Sequence, residues 1–279
     1  MDDLLDRAEP RGEMDLVADF ATPLPVTVIA QLLGIPVSDR AKFKIWSDAV
    51  VSLSAASDGM SFGRAMREMG AYFMQMLSQR RGAPRADLIS GLLQAQVDGQ
   101  HLTDLEPLGF CALLLVAGNE TTTNLHTNAV LGLDEGAHQR QQLLQDMSLL
   151  PGAIEETLRY RSPVQSMFRI STRDVQLGDQ VIPAESPVVA WIGSANRDGS
   201  VFEDPDTFDL RRNAQKHLAF GFGVHFCLGA PLARLEARIA LEALHRRFPH
   251  LRVIANTRLR PLDSTIVFGL RELPITLAA

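Results

Sequence analysis

The stretch Phe220-Gly221-Phe222-Gly223-Val224-His225-Phe226-Cys227-Leu228-Gly229 gathers residue types that ordinary packing does not need side by side. Gly221, Gly223 and Gly229 permit backbone geometries and close approaches that a Cβ would block. Phe220, Phe222 and Phe226 make the surroundings of Cys227 apolar. Pro231, a favoured first helical residue, marks a helix beginning just after the cysteine. Amides at that helix N-terminus can donate to sulfur and favour a thiolate. The combination suits a soft anionic ligand to a large, flat, hydrophobic cofactor.

Plainer readings exist for each part. A lone buried cysteine is usually inert packing. A dinucleotide loop needs a third glycine at 226, where the chain has Phe226, and a stronger strand before it. A zinc site lacks ligands nearby. The full run is far more specific than any of its pieces.

The rest of the chain narrows the class. Its 279 residues, 46% of them hydrophobic, can bury a sizeable core in one large domain or two smaller ones. The net charge is -6, and no basic tract exceeds His245-Arg246-Arg247, so no nucleic-acid groove is expected. The longest apolar run, residues 110–117, is far short of a membrane span. Residues 1–15 alternate acids and arginines, which is neither a signal peptide nor an anchor. Two cysteines, Cys111 and Cys227, rule out a disulfide framework and point to a reducing cytoplasm.

Residues 1–161 read mainly as helices. Residues 26–33 are apolar on one face and stop at Gly34 before Pro36. Ser38 and Asp39 can cap a helix running through Trp46 toward Leu53. Residues 61–81 are amphipathic, and Gly82 and Pro84 end them. Asp87 can cap the next helix, and Asp98-Gly99 is a turn. Thr103-Asp104-Leu105-Glu106 fits a capping box before an almost wholly apolar helix, with Pro107 awkward in its first turn. From residue 162 short β-rich pieces alternate with Gly, Pro and Asp turns, at 175–177, 181–182, 188–192, 265–268 and 274–277. A last helix starts near Pro231 and ends before Pro249. The fold class is mostly α with a minor β region, in a single domain over 1–279.

Residues 117–124, Ala117-Gly118-Asn119-Glu120-Thr121-Thr122-Thr123-Asn124, break the apolar helix. Glycine and consecutive threonines cost roughly several tenths of a kcal/mol or more each against alanine. Burying a carboxylate there costs more unless it is paired or protonated. Local rules broken at one spot point to a functional site, although threonines can also satisfy themselves by bonding to carbonyls one turn earlier. Glu156 and Arg159, three apart, share a helical face. Alone they would be an ordinary surface ion pair.

The cysteine segment resembles the haem-binding loop of the cytochrome P-450 family, Phe-Gly-x-Gly-x-His-x-Cys-x-Gly, and meets every fixed position of that pattern. Residues 117–122 are similar to the family's Ala/Gly-Gly-x-Asp/Glu-Thr-Thr motif, and Glu156–Arg159 to its Glu-x-x-Arg helix. The resemblance implies that Cys227 is the proximal ligand of a haem b iron, with Gly221, Gly223 and Gly229 shaping its loop. It implies that His225 and Arg169 bind haem propionates and that Phe220 packs beside the sulfur and tunes it. Ala117 lies against the haem, Glu120 is the acid of a proton relay and Thr121 the alcohol beside dioxygen, with the helix locally opened at Gly118. Glu156, Arg159 and Arg212, favoured over Arg211 by spacing, form a structural triad. Leu113, Val116, Val164 and Phe268, with Ala117, line the substrate pocket, though each is an equally good core residue.

The function so implied is a monooxygenase inserting one atom of O2 into an apolar small molecule. Electrons from NAD(P)H arrive through a ferredoxin and its reductase, with no membrane and no nucleic acid involved. Arg234 and Arg238, one turn apart, could help an acidic partner dock, although solvated arginines are the commoner explanation. The resemblance is to soluble bacterial members, and the chain reads as an N-terminally truncated, incomplete version of that domain. A catalytically incompetent remnant or haem-binding module is the alternative.

Overall fold

In the computed structural model, which describes residues 1–51 and 62–277, the chain divides into two compact units, residues 1–124 with 272–277 and residues 125–271. The expected helix limits at Leu53 and Ser61 lie outside the described residues.

The first unit comprises α1 (Asp2–Ala8), β1 (Glu13–Asp15), α2 (Pro23–Leu32), α3 (Arg40–Val51), α4 (Phe62–Gly82), α5 (Leu88–Gln94), a hairpin of β2 (Gln96–Val97) and β3 (Gln100–His101), and most of α6 (Leu105–Glu135). The late segment Pro274–Thr276 pairs antiparallel with β1, placing Ile275 opposite Met14, both buried. An aromatic core forms where α3 meets α4. Phe43 packs on Trp46, Tyr72 and Phe73 with ring centres 5.3, 5.5 and 5.9 Å away. Asp39 accepts from the Tyr72 hydroxyl at 2.9 Å and from Lys42 at 3.0 Å.

Glycine ends α2 for a specific reason. Gly34 has φ +68, a left-handed conformation that closes helices cheaply only without a Cβ. Its carbonyl accepts from Arg80 at 2.9 Å, and Arg80 Nε is 2.5 Å from Asp87. Asp87 also caps α5, accepting from the Ser90 amide at 2.9 Å. A Cβ on Gly34 would stand 2.2 Å from the Asp87 carboxylate. At Asp98-Gly99 both residues have positive φ, 53 and 78, the turn that suits a two-residue hairpin.

α6 starts at Leu105, with Glu106 reaching back to the Thr103 amide at 2.7 Å, half of the reciprocal capping pattern. Pro107 lies in the first turn, where its missing N–H would have no partner in any case. The helix is unbroken to Glu135, so the local opening expected at Gly118 does not occur. The Thr121 hydroxyl donates to the Ala117 carbonyl at 2.7 Å, and Gly118 lies so near Ile29 that a Cβ would be 2.9 Å from its terminal methyl. Side-chain bonding and close packing hold the helix through its poor formers.

The second unit contains α7 (Ala137–Gln145), α8 (Leu150–Tyr160), β4 (Ser166–Ile170), a hairpin of β5 (Val175–Leu177) and β6 (Gln180–Ile182), β7 (Pro187–Trp191), the single turn α9 (Ile192–Ala195), α10 (Ala230–Arg247) and β8 (Arg252–Val253). β4 pairs antiparallel with β7, Arg169 opposite Val188. α8 packs on α10, burying Ile154 and Leu158 of one and Ala237, Leu241 and Leu244 of the other. The strand expected at 265–268 is instead an irregular segment. Ser264 Oγ accepts from the Ile266 and Val267 amides at 3.2 and 3.1 Å, and Val267 makes a lone bridge to Val164.

Candidate functional site

The cysteine loop is built by its glycines. Gly221 and Gly223 have φ +72 and +73, values that a side chain rarely tolerates. They let the chain fold back so that the Cys227 amide donates to the Phe220 carbonyl at 2.9 Å and the Phe226 amide to Gly223 at 3.0 Å. Gly229 stands immediately before α10, where a Cβ would meet Sγ at an ordinary contact distance of 3.9 Å. Ala230 then opens α10 with its amide 3.2 Å from the Cys227 carbonyl.

The loop's apolar side chains are turned outward. Phe222, Val224 and Leu228 are 87, 97 and 78% exposed, and Cys227 itself is half-buried. So much bare apolar surface around one sulfur is unusual for a soluble chain and marks a place where something apolar lies. The donors match a haem: a thiol on a glycine-formed loop, and the exposed basic side chains of His225 and, on β4, Arg169. Arg169 donates to its neighbour's carbonyl at 2.8 Å and shares its strand with exposed Met167, Phe168 and Ile170. The other cysteine is different in kind. Cys111 is fully enclosed in α6, and burial, with Asp87 adding to it, pushes its thiol up to about 12.

Behind the loop stands α8. Glu156 and Arg159 are both wholly buried and face each other through two 2.7 Å bonds. Glu156 also accepts from the Asp209 amide at 2.9 Å and from Arg212 Nε at 3.2 Å. Arg159 donates to the carbonyls of Asn196, Pro205 and Thr207 at 2.9, 2.8 and 3.1 Å. Arg211 points elsewhere, to Gln142 at 3.3 Å. Glu156, Arg159 and Arg212 are thus together, tying α8 to the segment that leads to the cysteine loop.

Three contributors escaped sequence reasoning. Asn196, fully buried, accepts from the Leu218 amide at 2.7 Å and so positions the chain just before Phe220. Glu155 and His217 pair at 3.1 Å, and Arg234 clasps Glu155 at 2.6 and 2.8 Å. Burial alone would raise the Glu155 carboxyl, but Arg234 and His217 outweigh it and hold it down to about 2. Arg234 is therefore not the solvated surface arginine that its helical spacing suggested. Arg238 is exposed. It lines, with Arg234 and Leu235, a cleft of about 670 Å³.

The remaining expected positions fall in both units. On α6 in the first unit, Leu113 is 65% exposed, Val116 half-buried and Ala117 exposed. Thr121 follows one turn after Ala117, and Glu120 accepts from Asn124 at 3.2 Å. In the second unit Val164 and Phe268 are half-buried and close together, since the Phe268 amide donates to the Pro163 carbonyl at 2.8 Å.

Comparison with known proteins bears on what this loop holds. The family model described as cytochrome P450 matches residues 128–279. Cytochrome P450 109 of Bacillus spizizenii is 45% identical, over 98% of this chain and 69% of that protein. Cytochrome P450 107B1 of Saccharopolyspora erythraea is 47% identical, over 98% of this chain and 67% of its own length. Among solved structures, CYP109E1 of Bacillus megaterium in complex with testosterone superposes with a TM-score of 0.92 at 45% identity, over all of this chain and 76% of that one. The polyketide synthase cytochrome P450 PksS of Bacillus subtilis gives 0.94 at 38% identity, over 100% and 72%. A family match across the cysteine loop, with relatives this similar over nearly the whole chain, shows that it belongs to the cytochrome P450 family of haem-thiolate monooxygenases.

Proposed function

We propose that the chain hydroxylates an apolar small molecule of steroid or polyketide size, holding haem b through Cys227 and taking electrons from NAD(P)H through a ferredoxin and its reductase. The observation that carries this reading is the glycine-formed loop presenting a half-buried cysteine amid exposed phenylalanine, valine and leucine. The steroid in the related CYP109E1 structure supports the substrate class. The exposed Arg238 beside the cleft at α10 supports an acidic protein partner.

Haem, when bound, supplies the activation of dioxygen, one atom going to substrate and the other leaving as water with two protons and two electrons. The chain's residues supply the rest. Cys227 donates sulfur electron density to the metal. His225 and Arg169 offer N–H donors to the propionates, where charge-assisted bonds are strong. Glu120 holds a proton-exchanging carboxyl, and the Thr121 hydroxyl, which donates to Ala117 at 2.7 Å, keeps lone pairs with which to accept a proton and pass one on. Leu113, Val116, Ala117, Val164 and Phe268 offer apolar surface to the substrate.

Reconstitution of the chain with haem, reduction and exposure to carbon monoxide should give the red-shifted Soret band of thiolate ligation, and Cys227→Ser should abolish it. A chain that takes up no haem, or a band that survives the substitution, would sink this assignment and favour the remnant reading.

A further inference from the structure

Glu155 and Glu156 are consecutive on α8, and the turn of about 100° between them sends their carboxylates to different arginines. Glu156 belongs to the scaffold with Arg159 and Arg212. Glu155 is aimed at the cysteine loop. Arg234 holds it in a fork, Nε at 2.6 Å and Nη2 at 2.8 Å. His217 completes the group at 3.1 Å. The Ala219 amide donates to His217 Nδ1 at 3.1 Å, which leaves Nε2 to donate to Glu155. Glu155 thus accepts from both its arginine and its histidine.

Held in this way, the Arg234 guanidinium lies over the Phe220 ring, 4.5 Å from its centre. Phe220 also meets His217 and Phe226, with ring centres 5.9 and 6.4 Å apart, and its carbonyl takes the Cys227 amide. The Glu155 hydrogen bonds raise the Arg234 pKa against the opposing effect of burial. Through Phe220 the guanidinium stands against the loop that carries the sulfur. A fixed positive charge near a thiolate stabilises negative charge on it and on whatever it ligates.

We propose that the Glu155–Arg234 pair sets how strongly Cys227 donates electrons: Arg234 supplies a positive charge beside Phe220, while Glu155 and His217 fix its position and offset part of it. Both are positioning residues, since neither touches reacting atoms. The inference rests on Cys227 being the metal ligand. It makes a claim that a merely structural role does not: removing the two charges moves the reduction potential in opposite directions. Reduction adds one electron and thus one negative charge, which a less compensated Arg234 favours and a missing Arg234 disfavours.

The test is a dithionite titration of the haem-loaded chain with redox mediators, following the one-electron midpoint of wild type, Glu155→Gln, Arg234→Gln and Arg234→Lys. The amide oxygen in Glu155→Gln can still accept from one arm of Arg234, while the second arm and the negative charge are lost. Its reduction equilibrium should shift toward the reduced form by about threefold, equivalent to about 28 mV for one electron. Arg234→Gln should shift by a similar factor the other way, and Arg234→Lys should fall between it and wild type. Shifts of the same sign in Glu155→Gln and Arg234→Gln, or no rise in Glu155→Gln, overturn the proposal, because loosening the loop alone would move both alike. Should Arg234→Gln fail to take up haem, the rise in Glu155→Gln decides. A wild-type chain without the thiolate-type carbon monoxide band overturns the ligand assignment, and this proposal with it.

Discussion

Every N–H of the Arg159 guanidinium has an acceptor. Nε and one proton of Nη2 go to Glu156, the other Nη2 proton to Thr207, and Nη1 to Asn196 and Pro205. A buried ion pair by itself is weak support for stability, but breaking one strands a charge. Arg159→Lys keeps the charge yet cannot reproduce the fork, leaving Glu156 and several carbonyls short of donors. Urea unfolding of the chain should show a loss of about 1–3 kcal/mol, and a loss well below about 1 kcal/mol would mean that water replaces the missing donors. At this scale much was legible, and the limits were physical. Glu156 and Arg159 announce a shared face by their spacing, but nothing in a three-residue interval says that the face is buried. His217 and Asn196 were not legible because their partners lie 62 and 22 residues away, beyond any helical or strand period.

Elements are held by contacts that their own sequence does not contain. The stop at Gly34 is readable as glycine before proline, yet the need for glycine comes from Asp87, whose carboxylate fills the space a Cβ would enter. Gly34→Ala should therefore cost more than the ordinary penalty of left-handed backbone, about 1–2 kcal/mol, because Asp87 must also move off Arg80 or Ser90. Denaturant unfolding measures this, and a Gly34→Ala cost that shrinks to the backbone penalty when Asp87 is already alanine would confirm the steric cause. An equal cost in both backgrounds would refute it. α6 shows the reverse effect. Its glycine and threonines signal an interruption, but the hydroxyl of Thr121 and the packing of Ile29 keep it continuous. At residues 265–268 β-branched and aromatic residues suggest a strand, and only an isolated bridge forms, since β-propensity needs a partner along the whole edge.

Across the chain as a whole, acid stability should follow a few buried ionisable groups. Glu155 is held at about 2 against an ordinary 4.5, so its contribution is present above pH 4.5 and lost as the pH falls toward 2, roughly 3 kcal/mol in all. His245 is lowered from 6.5, chiefly by burial, and that costs stability as the pH falls below 6.5. Glu236 acts oppositely. Burial pushes it up to about 7, and its Oε2 has no hydrogen-bond partner among the described residues. The folded chain thus keeps a proton that the unfolded chain has released, and stability declines as the pH climbs from 4.5 to 7. Glu236→Gln should stabilise the protein by about 1–3 kcal/mol at pH 8 and hardly at all at pH 4. An equal gain at both values would show that ionisation is not the cause.

The adjacent carboxylates of α8 also bear on how this protein can vary in length. Each acid meets its arginine because of its angular position around the helix axis, so one residue gained or lost within 155–159 would rotate both onto the wrong partners together. Insertions and deletions should therefore be purged from this segment and accumulate where nothing is aimed, such as the solvent-facing hairpin at 175–182. Lineages of this protein should differ there in number of residues, while the glutamate pair keeps a constant distance from its first arginine.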